Sequence, residues 1–226
     1  MVAYECLHAM HCLKKGKKGS LAMKLDISKA YDRVEWAFLK GIMEKMGFPE
    51  IWIDRVMSCV STPSFSVCIN GKPFGNISPL RGIRQGDPLS PYLFLLCVEG
   101  FTSLLAKAEM EGQIHGMSIC RRAPCISNLL FANDSLLFCK ATQGEVQVLM
   151  DILDLYASAS EQCINFEKSS LYFSSNTEAR HKERIINLLG VKEVARFESY
   201  LGLPTLIGRS KYQTFSFLKD RVWKKL

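Results

Sequence analysis

An acid at the tip of a buried hairpin is the tightest constraint in this sequence. Residues 126–139, ISNLLFANDSLLFC, run through apolar and small side chains into Phe131-Ala132-Asn133-Asp134, then out again from Ser135 to Phe138. Two strand-like segments joined by a short polar turn predict a β-hairpin. Burial accounts for the flanks, and Asn-Asp alone is ordinary turn chemistry. A carboxylate held on a tight turn between buried strands is also rigid and faces a cleft, which is how a metal-dependent phosphoryl-transfer site is built. The rest of the chain decides between these two readings.

A chain of 226 residues with 48% hydrophobic content buries a sizeable core, and its length suggests one domain, or one and a part. The net charge of +7 and a pI of about 8.9 favour an anionic partner, nucleic acid first among them. The nine cysteines (6, 12, 59, 68, 97, 120, 125, 139, 163) form no CxxC, and most sit inside apolar runs. They are expected to be reduced core residues in a reducing, intracellular compartment. With no signal peptide and no 18-residue apolar run, neither secretion nor a membrane span is expected.

In chain order, residues 1–15 are expected to be helical. Cys6, His8, His11 and Cys12 invite a zinc reading, yet on a helix Cys6 and His8 point about 200° apart, and the spacing matches no common finger. Lys14-Lys15-Gly16-Lys17-Lys18 is a basic loop that suits either solvent or a phosphate. Leu21, Met23 and Leu25 alternate with Ala22, Lys24 and Asp26, predicting a strand that ends at Asp26. Asp32 and Glu35 have the spacing of a capping box, so Asp32 is read as a helix N-cap, whereas Asp26 has no such structural role. A second helix follows Pro49, and a hairpin turns at Asn70-Gly71. RGIRQGDPLSP (81–91) offers glycines for close approach and Arg81, Arg84 and Gln85 for an anion or a base edge, ahead of a long helix from Ser90 to about Glu111. A strand at 114–120 precedes the central hairpin. Thr142 and Glu145 cap a helix to about Ser160, and a strand at 169–174 and a helix over 177–189 follow. The chain then makes an apolar turn at Tyr200–Pro204 and a basic helix over 211–225. Strands this scattered must share one sheet covered on one side by helices, an α+β arrangement.

Four stretches stand in one order: LDISKAYD (25–32), RQGDPLSP (84–91), FAND (131–134) and QCINFEKS (162–169), with YLGLPTLIGRSK at 200–211. Together they resemble the palm of a reverse transcriptase, of the plant LINE-type (non-LTR) retrotransposon kind, over nearly the whole chain. The resemblance implies a right-hand polymerase palm. It implies two-metal nucleotidyl transfer with Mg²⁺ or Mn²⁺, and an RNA template, a DNA primer and deoxynucleoside triphosphates as partners. It makes Asp26 and Asp134 metal ligands. Tyr31 becomes the residue that excludes a ribose 2′-OH. Arg84, Gln85, Gly86 and Phe131 become nucleotide and template contacts, and Lys168 a proton donor to the leaving pyrophosphate. Tyr200, Leu201 and Gly202 become the turn that grips the primer. A nuclear location is implied in the same way.

Two departures follow. The family pattern at the hairpin is Phe-Ala-Asp-Asp, and Asn133 replaces the first aspartate with a neutral amide. Magnesium prefers charged oxygen ligands, and losing an electrostatic contact to a transition state costs about 10²–10³-fold, so little or no polymerase activity is expected. Fingers strands and a full thumb do not fit within this length either. The expected organisation is a palm with part of the fingers over residues 1–200 and the start of a thumb over 201–226. The competing expectation is a non-enzymatic retrotransposon remnant that at most binds nucleic acid. Tyr31 and the Arg84–Pro91 loop argue against an RNA-dependent RNA polymerase.

Overall fold

The computed structural model describes residues 2–14, 16, 19–120, 122–131, 134–197, 199–201, 203–205 and 211–224. The elements are α1 (Val2–Cys12), β1 (Ser20–Ser28), α2 (Trp36–Lys45), α3 (Glu50–Ser61), β2 (Phe65–Ile69), β3 (Lys72–Ile77), α4 (Ser90–Met110), β4 (Asn128–Phe131) and β5 (Asp134–Lys140). They continue with α5 (Gln143–Ser160), β6 (Cys163–Ile164), β7 (Ser170–Phe173), α6 (Ala179–Leu189), β8 (Lys192–Glu193), β9 (Ser199–Tyr200), β10 (Leu203–Pro204) and α7 (Lys211–Trp223). This is the expected α+β palm.

β1 is the axis of the main sheet, whose order is β4-β5-β1-β7-β8 with β6 paired to the end of β1. All these pairings are antiparallel except β7–β8. Alternation along β1 splits its side chains between two faces. Leu21, Met23 and Leu25 enter the larger core with Leu137 and Leu171, against Phe101 and Leu105 of α4 and Leu149 and Leu153 of α5. On the opposite face Ala22, Leu136, Phe138 and Tyr172 lie under Cys6, Leu7 and Met10 of α1. A third cluster joins α2, α3 and the start of α4 through Leu39, Met43, Ile53 and Phe94. Helices therefore cover one face as expected, and α1 adds cover to the second face at only one end. Among the described residues the other end of that face, where Lys24 and Asp26 stand, opens into a cleft.

Several local expectations hold for their stated reasons. Asn70 (φ 52°) and Gly71 (φ 78°) make the left-handed turn that joins β2 to β3. The Thr142 hydroxyl accepts from the Glu145 amide at the start of α5, and Gly190 (φ 63°) ends α6.

Others do not hold. Asp32 caps nothing: α2 begins at Trp36 after Glu35, which makes no side-chain cap bond. The chain before it is committed elsewhere, because the Ile83 amide donates to the Tyr31 carbonyl at 2.9 Å and the Gly82 amide to the Val34 carbonyl at 2.8 Å. The strand expected at 114–120 is reduced to one bridge, Met117 with Ile126, since Gly116 is pressed against the Ile126 backbone and the described residues 118–120 that follow form no strand. β6 and β8 have no counterpart in the sequence pattern; two-residue strands carry too little periodicity to be read. The cysteines also differ from expectation. All nine are free, but only Cys6, Cys97 and Cys139 are buried, because apolar neighbours in sequence do not fix which face a cysteine takes. Among the described residues no helix is long and apolar enough to cross a membrane.

Candidate functional site

Asp26 and Asp134 meet across the middle of the sheet. Antiparallel pairing of β1 with β5 makes them direct register partners at the open end of both strands. Directly opposed residues on one face have Cβ atoms about 5 Å apart, so both carboxylates serve the same space. Asp134 is a strand residue rather than a turn residue: it closes the β4–β5 hairpin opposite Phe131. Ala132 and Asn133, between them, lie outside the described residues.

The segment 165–169 fixes the backbone of Asp26. Its amide donates to Ser169 Oγ at 3.2 Å, that hydroxyl donates to the Asn165 carbonyl at 2.7 Å, and the Asn165 amide donates to the Asp26 carbonyl at 2.9 Å. The Asn165 side chain also accepts from the Lys168 amide at 3.1 Å. The fourth motif thus clamps the first.

A cleft of about 670 Å³ opens here, lined among others by Lys24, Asp26, Asp134, Lys168, Lys192 and Arg196. Lys168 therefore lines the same cleft as the two acids. Lys24 is a site residue that the sequence motifs do not mark, yet its ammonium stands 3.5 Å from the Asp134 carboxylate. The signal for it is the two-residue period that puts Lys24 on the same face as Asp26, but its partner is far along the chain. Among the described residues no group of three or more His, Cys, Asp or Glu side chains comes together to hold a metal ion. The donors present are the Asp26–Asp134 pair of hard oxygen ligands, which suits a divalent ion such as Mg²⁺.

Arg84 and Gln85 line a second cleft, of about 630 Å³, between the 81–90 loop and α3, and they are not lining residues of the acidic one. Gly86 sits in the same loop at φ 91°. The loop is anchored by the Trp36 indole N–H on the Gly82 carbonyl at 2.8 Å and by Arg81, which pairs at 3.2 Å with both Glu35 and Glu161. Gly82 must be glycine, because at φ +91° an added Cβ would lie 2.9 Å from the Asp32 carbonyl oxygen. Tyr31 stacks on Phe94 with ring centroids 5.0 Å apart, so the candidate sugar-sensing ring is braced by the core.

Phe131 is 62% exposed beside Asp134. The Tyr200 hydroxyl donates to the Leu129 carbonyl at the long distance of 3.5 Å, and burial, with the Asp134 charge adding to it, holds the phenol above its ordinary pKa. Leu201 takes the left-handed φ of 53° between β9 and β10. Gly202 and the basic-loop residues Lys15, Lys17 and Lys18 lie outside the described residues.

A family model described as reverse transcriptase (RNA-dependent DNA polymerase) matches residues 2–193. An uncharacterized mitochondrial protein of Arabidopsis thaliana is 49% identical over 67 residues, 30% of this chain and 55% of its own length. The Pol polyprotein of the type-2 retrotransposable element R2DM of Drosophila melanogaster is 32% identical over 127 residues, 56% of this chain and 11% of that protein. The 149 kDa protein of transposon TX1 of Xenopus laevis is 28% identical over 148 residues, 66% of this chain and 11% of that protein. The chain thus spans about a tenth of the transposon proteins and about half of the mitochondrial one. Among solved structures, Candida tropicalis telomerase in complex with a fragment of telomeric RNA superposes with a TM-score of 0.52 at 16% identity, covering 97% of this chain and 36% of that one. At that identity the likeness is one of fold.

Proposed function

The chain belongs to the reverse transcriptase family, in the kind carried by non-LTR retrotransposons, and from that premise we propose that it is an RNA-directed DNA polymerase domain impaired at its own hairpin. The carrying observation is the register partnership of Asp26 and Asp134 at the open end of the sheet. Two carboxylates there would hold Mg²⁺ or Mn²⁺, which in such a site supplies the positive charge that eases attack by a primer 3′-hydroxyl and departure of pyrophosphate. The family's remaining carboxylate position is Asn133, and a neutral amide there lowers the charge available to a metal.

The chain's own groups divide the remaining work. Lys168, in the acidic cleft, is placed to protonate the leaving group. Tyr31, fixed against Phe94, excludes a 2′-hydroxyl. Arg84, Gln85, Gly86 and Phe131 contact the incoming nucleotide and template, and Tyr200, Leu201 and Gly202 hold the primer end. Residues 1–200 act as the palm with part of the fingers, and 201–226 as the start of a thumb. The setting for such chemistry is the nucleus.

Primer extension on poly-rA with an oligo-dT primer, in Mg²⁺ and in Mn²⁺, tests this directly. The natural sequence is expected to run at least about 10²-fold below the Asn133→Asp variant. If neither extends the primer, the remnant reading replaces this one; if the natural sequence extends as well as the variant, Asn133 is not the defect.

A further inference from the structure

We propose that His8 and Cys12, on the exposed face of α1, form a two-residue chelate for a borderline or soft divalent ion, zinc first among them. The inference rests on neither polymerisation nor the Asp26–Asp134 pair.

Cys6, the first cysteine of α1, takes no part, because it is buried against the sheet. Cys12 stands in its place as the partner of His8. Helix positions four apart lie one above the other, and the Cys12 sulfur is 3.9 Å from each ring nitrogen of His8. A tetrahedral ion about 2.3 Å from sulfur and about 2.1 Å from an imidazole nitrogen needs those two atoms roughly 3.6 Å apart. The pair is therefore within about 0.3 Å of chelating distance before any ion arrives, and either nitrogen can be the ligand. Both side chains are exposed, so an ion reaches them directly and water fills its remaining positions.

Neighbouring groups hold the pair in place. The His8 ring stacks on Tyr4, one turn earlier, with centroids 5.8 Å apart. The last turn of α1 is tied to the chain after β7. The Ser175 hydroxyl donates to the His11 carbonyl at 2.8 Å, and the Ser175 amide donates to the Met10 carbonyl at 3.4 Å. Anchored backbone of this kind keeps two ligands preorganised.

Electrostatics favour a metal over a reactive thiol. The C-terminal end of a helix carries partial negative charge, which opposes a bare thiolate and attracts a cation. A divalent ion resolves the conflict. The Cys12 S–H bond breaks, its proton leaves to solvent, a metal–sulfur bond forms, and thiolate and ion together carry net positive charge. Sulfur with imidazole selects zinc over magnesium, so this pair and the two carboxylates take different ions. His11 does not join as a third ligand: among the described residues no three His, Cys, Asp or Glu side chains converge on one point.

Iodoacetamide labelling of the full chain, read peptide by peptide in mass spectrometry, tests the site by comparing EDTA-treated protein with protein in zinc chloride. Zinc is expected to protect Cys12, while Cys59 and Cys163, exposed on other elements, keep their rates. His8→Gln should raise the zinc concentration needed for protection at least as much as loss of an outer-shell partner does, about 10–100-fold. Cobalt(II) should give a sulfur-to-metal charge-transfer band, which two carboxylates cannot produce, and Cys12→Ser should abolish it. The zinc comparison on the natural chain needs no substitution, so it stands whether or not a variant folds. A Cys12 rate that zinc does not alter, or equal protection of every exposed cysteine, overturns the proposal. So does protection that survives His8→Gln at unchanged zinc concentration, since only a lone thiol would then be binding. None of these readouts depends on primer extension, so the two readings fall separately.

Discussion

At the scale of single residues, the peptide groups on both sides of Asp26 are tied to 165–169 while its carboxylate remains available to the cleft. Ser169 is the link: it is fully buried, accepts from the Asp26 amide and donates to the Asn165 carbonyl. Ser169→Ala should therefore cost about 1–3 kcal/mol in urea unfolding by leaving a partly buried amide unpaired, and should lower any activity of an Asn133→Asp background by more than stability alone explains. Asp26 is legible in the sequence, because an aspartate with no capping role in an otherwise apolar strand stands out, although β1 runs two residues past it to Ser28. Its register partner Asp134 is legible as a site residue, but the sequence places it in a turn, whereas it opens β5. Lys24 is legible only as a residue on the same face as Asp26; its ion pair is set by register, and the register is invisible until β1 and β5 are laid together.

At the scale of elements, the strongest periodic segments are recoverable: α4, α5, β1, the β4–β5 hairpin and the β2–β3 hairpin all stand close to their expected bounds. The failures have physical causes. The capping-box spacing before α2 is overridden by backbone bonds to the 82–83 loop, and a weak strand pattern at 114–120 finds a single bridging partner. The β2–β3 hairpin is a case apart. Every one of its strand residues is exposed, including Val67, Ile69 and Phe74, so among the described residues its own turn and ladder are its main support. A lone two-stranded hairpin is marginal in water. Native-state hydrogen exchange should find its amides within about tenfold to a hundredfold of unstructured rates, while β1 amides exchange only through global unfolding.

At the scale of the whole molecule, three apolar clusters carry the fold, and their membership is only partly readable from sequence. Composition shows that a core exists, but not which apolar residues enter it: Met110 is 89% exposed and Leu80 87%. Cysteine reactivity reports the same partition. Burial pushes the Cys97 thiol up to about 12 and raises Cys139 as well. Ellman's reagent at pH 8 should therefore titrate the six exposed cysteines in the native protein, with Cys6, Cys97 and Cys139 joining only after denaturation. The place of β1 has a further consequence, for how such a gene can age. β1 pairs with β5, β6 and β7 at once, and its side chains alternate between core and cleft. An in-frame gain or loss of one codon within 20–26 would exchange the two sets, turning Lys24 and Asp26 against Phe101 and Leu105 and presenting leucines to solvent. Substitutions can erode such a site one charge at a time, but a single-codon slip in β1 would remove fold and site together.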